Sequence, residues 1–401
     1  MTAPGQAAAG GCGARARAAA CRLTVAAGLL GGLWLGTGCE TAAYYRQAAV
    51  GQGAILLKRT PIDRLLAAEE TPGRLKEQLQ LVACLREFAA SELKLPVAGH
   101  YSSYVDVGRP FVVWNIHATP EFSLKPVTWW YPAVGRLKYR GYFAEAAARK
   151  YVAGMAGADV FVEGVRAYST LGWFADPVLS TFVHHEELEL AQLLFHELGH
   201  QRLFVSGDTD FNEAFATAVG EEGVRAWLQA TGRPADWDRY RVAMERQGSF
   251  IRLVQGAREE LRRLFGDEEM SAERKGHDRR RLTDGEQADL RNRKAAVIER
   301  LRRDYADLKA AWGGYAGYDR WFAMPLNNAQ LNTVATYHDL VPGFVALFRA
   351  CGGDWELFYA EATKCGKLPQ AERAARLRAL AGGKGAQVTR NYSANGGRRG
   401  N

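Results

Sequence analysis

Apolar residues recur at intervals of three and four over residues 73–93, and this spacing predicts a helix with one buried face. Further along, three segments rich in β-branched and aromatic residues predict strands, and a short helix, Phe143 to Met155, lies between the last two. The predicted strands are Phe111 to His117, Val127 to Tyr139 and Val160 to Thr170. The amino-terminal part of the chain therefore predicts a small antiparallel sheet.

From Glu186 onward the spacing of the leucines is helical, and a polar break at 206–210 separates this helix from a second one, Asn212 to Thr231. The charged segment 250–310 predicts two exposed helices joined by a mobile loop. Further helices are predicted at Asn328 to Phe348 and Asp354 to Thr363. The predicted fold class is α+β, mainly α: a small sheet followed by a helical body. We expect one domain over residues 61–380 and a disordered tail over 381–401.

The first 38 residues have the organisation of a secretory signal. Arg15, Arg17 and Arg22 precede an uncharged apolar run, Leu23 to Leu35, which is followed by small residues and Cys39. This run is shorter than the ~20 residues that a membrane span needs. We therefore expect residues 1–38 to be a signal peptide, followed by a tether over residues 39–60.

The small residues before Cys39 resemble a bacterial lipobox, in which the cysteine is lipidated and becomes the mature amino terminus. Gly36 departs from the leucine, valine or isoleucine usual at that position. Ordinary cleavage nearby and an uncleaved anchor are the alternatives. We expect an exported protein of the periplasm or cell envelope, held to the membrane by a lipid on Cys39.

The net charge limits the kinds of binding partner, and the cysteine pattern limits the kinds of metal site. Loss of the three signal-peptide arginines lowers the formal net charge from +8 to +5, an excess too small to indicate nucleic-acid binding. The basic run 279–281 is interpreted as a solvated turn, with a binding patch as the alternative. The sequence contains no CxxC spacing, so a zinc site made of thiolates is not predicted. Cys351 and Cys365 could form a disulfide in an oxidising compartment.

The segment Phe195 to His200 contains the pattern HExxH. Residues four apart on an α-helix lie one turn apart on the same face, so His196 and His200 can bind one tetrahedral ion. Glu197 is rotated away from the ion, which places its carboxylate beside the water molecule that the ion activates. The pattern therefore predicts a catalytic Zn²⁺ with Glu197 as general base.

A catalytic zinc ion normally has three protein ligands and one water molecule. No histidine follows Gly199 at the metzincin spacing, whereas Glu213 lies near the start of the next predicted helix. Glu213 is the predicted third ligand, an arrangement that resembles the gluzincins. The alternative is a capping box in which Glu213 pairs with Asp210. Asp208, Asp210 and Asn212 are candidates for hydrogen bonding to the ligand imidazoles.

Five segments carry a resemblance to a known family: Arg140 to Phe143, Tyr168 to Phe174, His196 to Leu203, Phe211 to Gly220 and Tyr337 to Pro342. They resemble the bacterial family of predicted aminopeptidases, and the resemblance covers nearly the whole mature chain. Gly199 replaces the alanine expected there, and the charged insert around Gly266 to Gly285 is a further departure from the family pattern. The resemblance implies an exported zinc peptidase.

The sequence pattern is less specific for the residues that would stabilise the oxyanion and bind the substrate backbone. Tyr168, Tyr337 and His338 are candidate catalytic donors to the oxyanion, with a packed aromatic or a core histidine as the alternative for each. The segment Val165 to Thr170 is predicted to pair with the substrate backbone. His117 is expected to have no ligand role.

Taken together, these patterns predict zinc-dependent hydrolysis of peptide or protein substrates, and the family resemblance implies that the enzyme is an aminopeptidase. Such an enzyme needs an acidic side chain for the free α-amino group, and Glu163 and Glu186 are the candidates. Two alternatives stay open: an endopeptidase acting on envelope proteins, and a non-catalytic, envelope-anchored assembly protein with a structural zinc. Glu197 argues against the second, because a structural site needs no base beside the metal.

Overall fold

The structure is a computed structural model that describes residues 39–132, 135–167, 174–267, 282–335 and 340–382. Several sequence predictions lie outside these ranges: the signal peptide, the tail beyond residue 382, the basic run 279–281, Tyr168, Tyr337 and His338. The backbone of Cys39 is described, but its side chain is not.

The chain divides into two compact units, residues 1–57 and residues 58–401. In the first unit, the segment expected to be a tether is largely helical and forms α1 (Cys39–Leu57). Within the described ranges, no helix combines the length and the apolar character that crossing a membrane requires.

The described part of the second unit contains eight short strands in three small sheets, not the single sheet predicted. The strands are β1 (Thr60–Pro61), β2 (Ser103–Val105), β3 (Val113–Pro120), β4 (Trp129–Tyr131), β5 (Gly135–Leu137), β6 (Arg140–Tyr142), β7 (Ala158–Val165) and β8 (Val178–Leu179). β3 is the middle strand of one sheet and pairs antiparallel with β6 and β7. In the second sheet β2 pairs antiparallel with β1 and parallel with β8, and the third sheet is the β4–β5 pair.

The prediction of one long strand from Val127 to Tyr139 was wrong. Two three-residue strands, β4 and β5, stand there and pair antiparallel. Pro132 follows β4 and has no N–H to donate to a ladder, and Gly135 has a φ of +80°, in the left-handed region. The chain therefore reverses inside the predicted strand.

Helices dominate the described part of the second unit, which confirms the prediction of an α+β, mainly α fold. They are α2 (Ile62–Ala67), α3 (Gly73–Ser91), α4 (Glu145–Val152), α5 (Glu187–Arg202), α6 (Thr209–Ala230), α7 (Asp236–Phe265), α8 (Asp284–Ala311), α9 (Asp319–Phe322), α10 (Asn328–Ala335), α11 (Val341–Ala350), α12 (Trp355–Gly366) and α13 (Gln370–Ala381). The helix predicted over Asn328 to Phe348 corresponds to both α10 and α11.

The two helices of the charged segment 250–310 are not exposed on every side. Each buries an apolar stripe in a hydrophobic cluster that it shares with residues outside the segment, so the prediction of two exposed helices was wrong in this respect. Phe250 and Val254 of α7 and Leu301 of α8 belong to one buried cluster, which also includes Leu124, from the segment after β3, and Leu331 of α10. Apolar residues recur every three or four positions between the charges, and each helix buries that stripe. This packing holds α7 against α8 and α10.

The main core surrounds α5 and α6. Phe195, Phe211 and Phe215 are fully buried, and the ring of Phe215 stacks on that of Phe358 at a centroid distance of 5.7 Å. Cys351 and Cys365 are buried free thiols, so the disulfide considered from the sequence is not formed.

Candidate metal centre

Helix α5 presents two imidazoles on one face. The ring centroids of His196 and His200 lie 4.8 Å apart, and their planes are nearly perpendicular, at 86°. The opposite face of the helix is fixed in the core by Leu194, Phe195 and Leu198, all at most 1% exposed. The helical spacing and the burial of the apolar face therefore hold both rings in a set direction.

A tight connection turns α6 back over these imidazoles. Asp208 is the N-cap of α6 and accepts a hydrogen bond from the Phe211 backbone N–H at 3.2 Å. The Asn212 amide accepts from the Val205 N–H at 2.7 Å and donates to the Val205 carbonyl at 2.8 Å, so it closes the turn. Because Asp208 is the cap, Glu213 is not the partner of a capping box at Asp210.

Glu213 instead faces the imidazoles. Its Oε2 lies 3.4 Å from His196 Nε2 and 3.7 Å from His200 Nε2. One donor atom from each of the three residues lies within 4.8 Å of the other two. Two imidazole nitrogens and one glutamate oxygen are a ligand set that catalytic zinc sites use, so these residues fit a zinc ion.

Small residues allow α6 to approach α5 closely enough for this convergence. A Cβ at Gly220 would lie 3.0 Å from the Gln192 carbonyl oxygen, and one at Gly223 would lie 2.7 Å from Cδ2 of Phe195. A Cβ at Gly199 would lie 3.3 Å from the Ala216 Cα, so the glycine found in place of alanine matches a close contact. The close spacing of α5 and α6 therefore depends on glycines, which have no side chain at these contacts.

We predict that Gly220→Ala lowers the free energy of unfolding by about 1–2 kcal/mol, because the new methyl group presses on a helix carbonyl. Gly256→Ala is the matched control, since a Cβ there meets nothing within 4 Å. Gly256 is an exposed position of α7, so this substitution should raise stability by roughly 0.5–1 kcal/mol through helix propensity. Urea denaturation measures both variants, and equal effects would mean that α5 and α6 can separate freely.

Electrostatics at the three donors favour an ionised Glu213. Burial acts to raise the pKa of this carboxyl, but hydrogen bonds from His196 and His200 outweigh it and hold the pKa well below its usual range. The carboxylate is therefore available as an anionic ligand at neutral pH.

Glu197 has a different environment from Glu213. Its side chain is 9% exposed, and its Oε2 has no hydrogen-bond partner in the part of the chain that the structure describes. Burial raises the pKa of Glu197 to about 7; the Glu213 and Asp176 carboxylates act in the same direction and His196 opposes them. A buried carboxyl with such a pKa can both accept and return a proton near neutral pH.

Two residues near Glu197, Tyr101 and Asp176, belong to no sequence motif and could not be predicted. Tyr101 is buried and has a φ of +55°, a left-handed conformation that is unusual for a bulky residue. Its N–H donates to the Asp176 carbonyl at 2.7 Å. Burial raises the pKa of Tyr101, and the charges of Glu197 and Asp176 add to this. Asp176 is 4% exposed and its N–H donates to Nδ1 of His100 at 3.1 Å. Only the tertiary fold brings Tyr101 and Asp176 towards Glu197.

The polar residues considered as partners of the imidazoles have other contacts. Asp208 caps α6 and its Oδ2 lies 3.4 Å from Nε of Arg373, while Asn212 holds Val205. Asp210 accepts from Nζ of Lys138 at 2.9 Å. These residues fix the position of α6, and through it that of Glu213.

The candidates for the substrate's α-amino group lie in different places. Glu163 lies on β7, and its Oε2 is 3.5 Å from Nε2 of His117 on the neighbouring strand β3. Glu186 is exposed at the N-cap of α5.

Comparison with known protein families gives a match over most of the chain. The model of the family described as "Putative aminopeptidase" matches residues 43–377, which include α5, α6 and all three donors. No curated protein and no solved structure matches the chain. The match spans most of the sequence, and the chain belongs to this aminopeptidase family.

Proposed function

We propose that the chain is a zinc-dependent aminopeptidase of gluzincin type, in which His196, His200 and Glu213 are the metal ligands. The observation that carries the proposal is the convergence of two imidazole nitrogens and one carboxylate oxygen from neighbouring helices. Family membership supports peptide hydrolysis as the use of this site. The short turn held by Asn212 and the glycine contacts between α5 and α6 support a rigid ligand set.

Zinc bound at these donors would supply Lewis acidity, which lowers the pKa of a coordinated water molecule to about 7 and polarises a carbonyl group. Glu197 follows the first ligand on α5 and is not one of the three converging donors. Its buried carboxylate is the group we assign to take the proton from the attacking water and to return it to the leaving amine. The unpartnered Oε2 supports this role, because a structural carboxylate at that burial would be hydrogen bonded.

The substrate assignment is tested with pairs of fluorogenic peptides that differ only in N-acetylation. An aminopeptidase binds the free α-ammonium group, so acetylation should lower kcat/KM by roughly 100-fold, the loss expected for an unpaired buried polar group. Equal rates for both members would favour the endopeptidase alternative. Failure to cleave either peptide, with zinc bound at one equivalent, would favour the non-catalytic assembly protein.

A further inference from the structure

The segment 203–208 connects the two helices that carry the three donors, and we call it the ligand turn. Glu213 lies five residues beyond its end, whereas His196 and His200 belong to α5, whose apolar face is fixed in the core. A displacement of the ligand turn would therefore move the Glu213 carboxylate relative to the two imidazoles. The groups that hold the ligand turn in place thus bear on the geometry of the donors.

Helix α12 packs against the beginning of the ligand turn. A Cβ at Gly366, the last residue of α12, would lie 3.0 Å from Cγ2 of Val205. At the end of α5, Nη2 of Arg202 donates to Oε2 of Glu356 at 3.0 Å, and its guanidinium carbon lies 4.8 Å from the centroid of the Tyr359 ring. The entrance to the ligand turn is therefore held by close packing and by one ion pair.

Arg373 of α13 reaches the other end of the ligand turn. It is 8% exposed, and its Nε lies 3.4 Å from Oδ2 of Asp208, which is 5% exposed. Its guanidinium carbon lies 5.5 Å from the centroid of the Phe211 ring, and its Nη1 donates to the Gly366 carbonyl at 3.3 Å. This arginine therefore contacts the cap and the first turn of α6 and connects both to the end of α12.

The pair of Arg373 and Asp208 orients a carboxylate more than it stabilises the fold. Both charges are removed from water, and the cost of that removal offsets most of their attraction. The pair nevertheless fixes the relative orientation of its two groups. Asp208 needs a set orientation, because its Oδ1 accepts from the Phe211 N–H at 3.2 Å while its Oδ2 faces Arg373. One carboxylate thus joins the cap of α6 to α13.

We propose that Arg373 is a positioning residue of the metal centre and acts through the Asp208 cap. The cap fixes the first turn of α6, and thereby the direction from which Glu213 approaches His196 and His200. The proposal rests on the proposed zinc site. It extends that site to α13, a helix that supplies none of the three converging donors. The helix contributes to zinc binding without contacting the ion.

Arg373→Met, which removes the guanidinium and keeps a long apolar side chain, tests this role in the full chain. We expect its zinc affinity, measured by competition with a chromogenic chelator, to fall about 10–100-fold, as when an outer partner of a metal ligand is lost. The visible absorption spectrum of the Co²⁺-substituted variant should also change, because the d–d transitions of Co²⁺ depend on the geometry of its ligands. Arg378→Met, at an exposed arginine of the same helix, is the control and should match the wild type in both measurements.

A second variant separates positioning of the ligand from stability of the fold. Arg373→Met leaves the buried Asp208 carboxylate without its partner, and such a charge is destabilising whatever Arg373 does for the metal. Combining it with Asp208→Asn removes both charges and keeps an N-cap, since asparagine caps about as well as aspartate. We expect the melting temperature of this double variant to return towards that of the wild type. Its zinc affinity should stay about tenfold or more below the wild type, because the connection to α13 is still missing.

Recovery of zinc affinity together with the melting temperature in the double variant would mean that Arg373 serves the fold alone, which overturns the proposal. Wild-type affinity and an unchanged Co²⁺ spectrum in Arg373→Met would overturn it as well. A wild-type chain that binds no zinc would instead remove the metal centre itself. Failure of the positioning role and failure of the proposed function are therefore separate results.

Discussion

Glu197→Gln should lower kcat for peptide hydrolysis by about 10³-fold or more while zinc content stays at one equivalent. General acid–base catalysis contributes about 10²–10⁴-fold, and this carboxylate is assigned both proton transfers. The amide has nearly the same size but cannot accept the proton. Steady-state kinetics on an unblocked peptide and emission spectroscopy on the same protein preparation give the two numbers.

The thermal stability of this variant separates loss of chemistry from loss of fold. Glu197 is buried and its Oε2 has no partner in the described part of the chain, so a neutral amide should cost no stability. We expect the melting temperature of Glu197→Gln to equal or exceed that of the wild type. Glu189→Gln, an exposed position in the first turn of the same helix, is the control and should keep full activity.

Retained peptidase activity in Glu197→Gln would remove Glu197 from the mechanism. A simultaneous loss of zinc and activity would be a different result, because it would mean that the carboxylate contributes to metal binding. The combination of retained zinc, retained fold and lost turnover is the outcome that the proposed role requires.

The arrangement of the two helices could be predicted because it follows from local rules. Helical periodicity puts His196 and His200 on one face whatever the rest of the fold, and a short polar break between two helices returns Glu213 towards them. The fold class follows from the same periodicities. The cap position could not be predicted with the same ease, because Asp208 and Asp210 both suit an N-cap and only the turn held by Asn212 selects Asp208.

The surroundings of the site depend on contacts between distant parts of the chain. A small cavity brings His117 of β3 together with Arg258 of α7 and Asn332 of α10, and the last two residues are 74 positions apart in the sequence. Tyr101 and Asp176 approach Glu197 through the parallel pairing of β2 with β8. No spacing in the sequence encodes such proximity. The same limit explains why the sequence does not predict the buried cluster of the charged segment 250–310. The apolar stripe of each helix is sparse, and its partners lie on α10 and in the segment after β3.

Glu213→Ala should weaken zinc binding by at least about 100-fold, because loss even of an outer partner of a metal ligand costs 10–100-fold. The donor set would fall from three protein ligands to two, below the number that catalytic zinc sites use. Competition with a chromogenic chelator measures the affinity, and emission spectroscopy of the purified variant measures the metal content.

Glu221→Ala is the matched control for this loss, because Glu221 lies two turns further along α6 and is not among the converging donors. It should retain one equivalent of zinc. Glu213→Gln should fall between the two, since the amide oxygen can still coordinate but lacks the negative charge that His196 and His200 stabilise on Glu213. If Glu213→Ala binds zinc as tightly as the control does, the third ligand is another residue, and the close packing of α6 on α5 then serves the fold and not the metal.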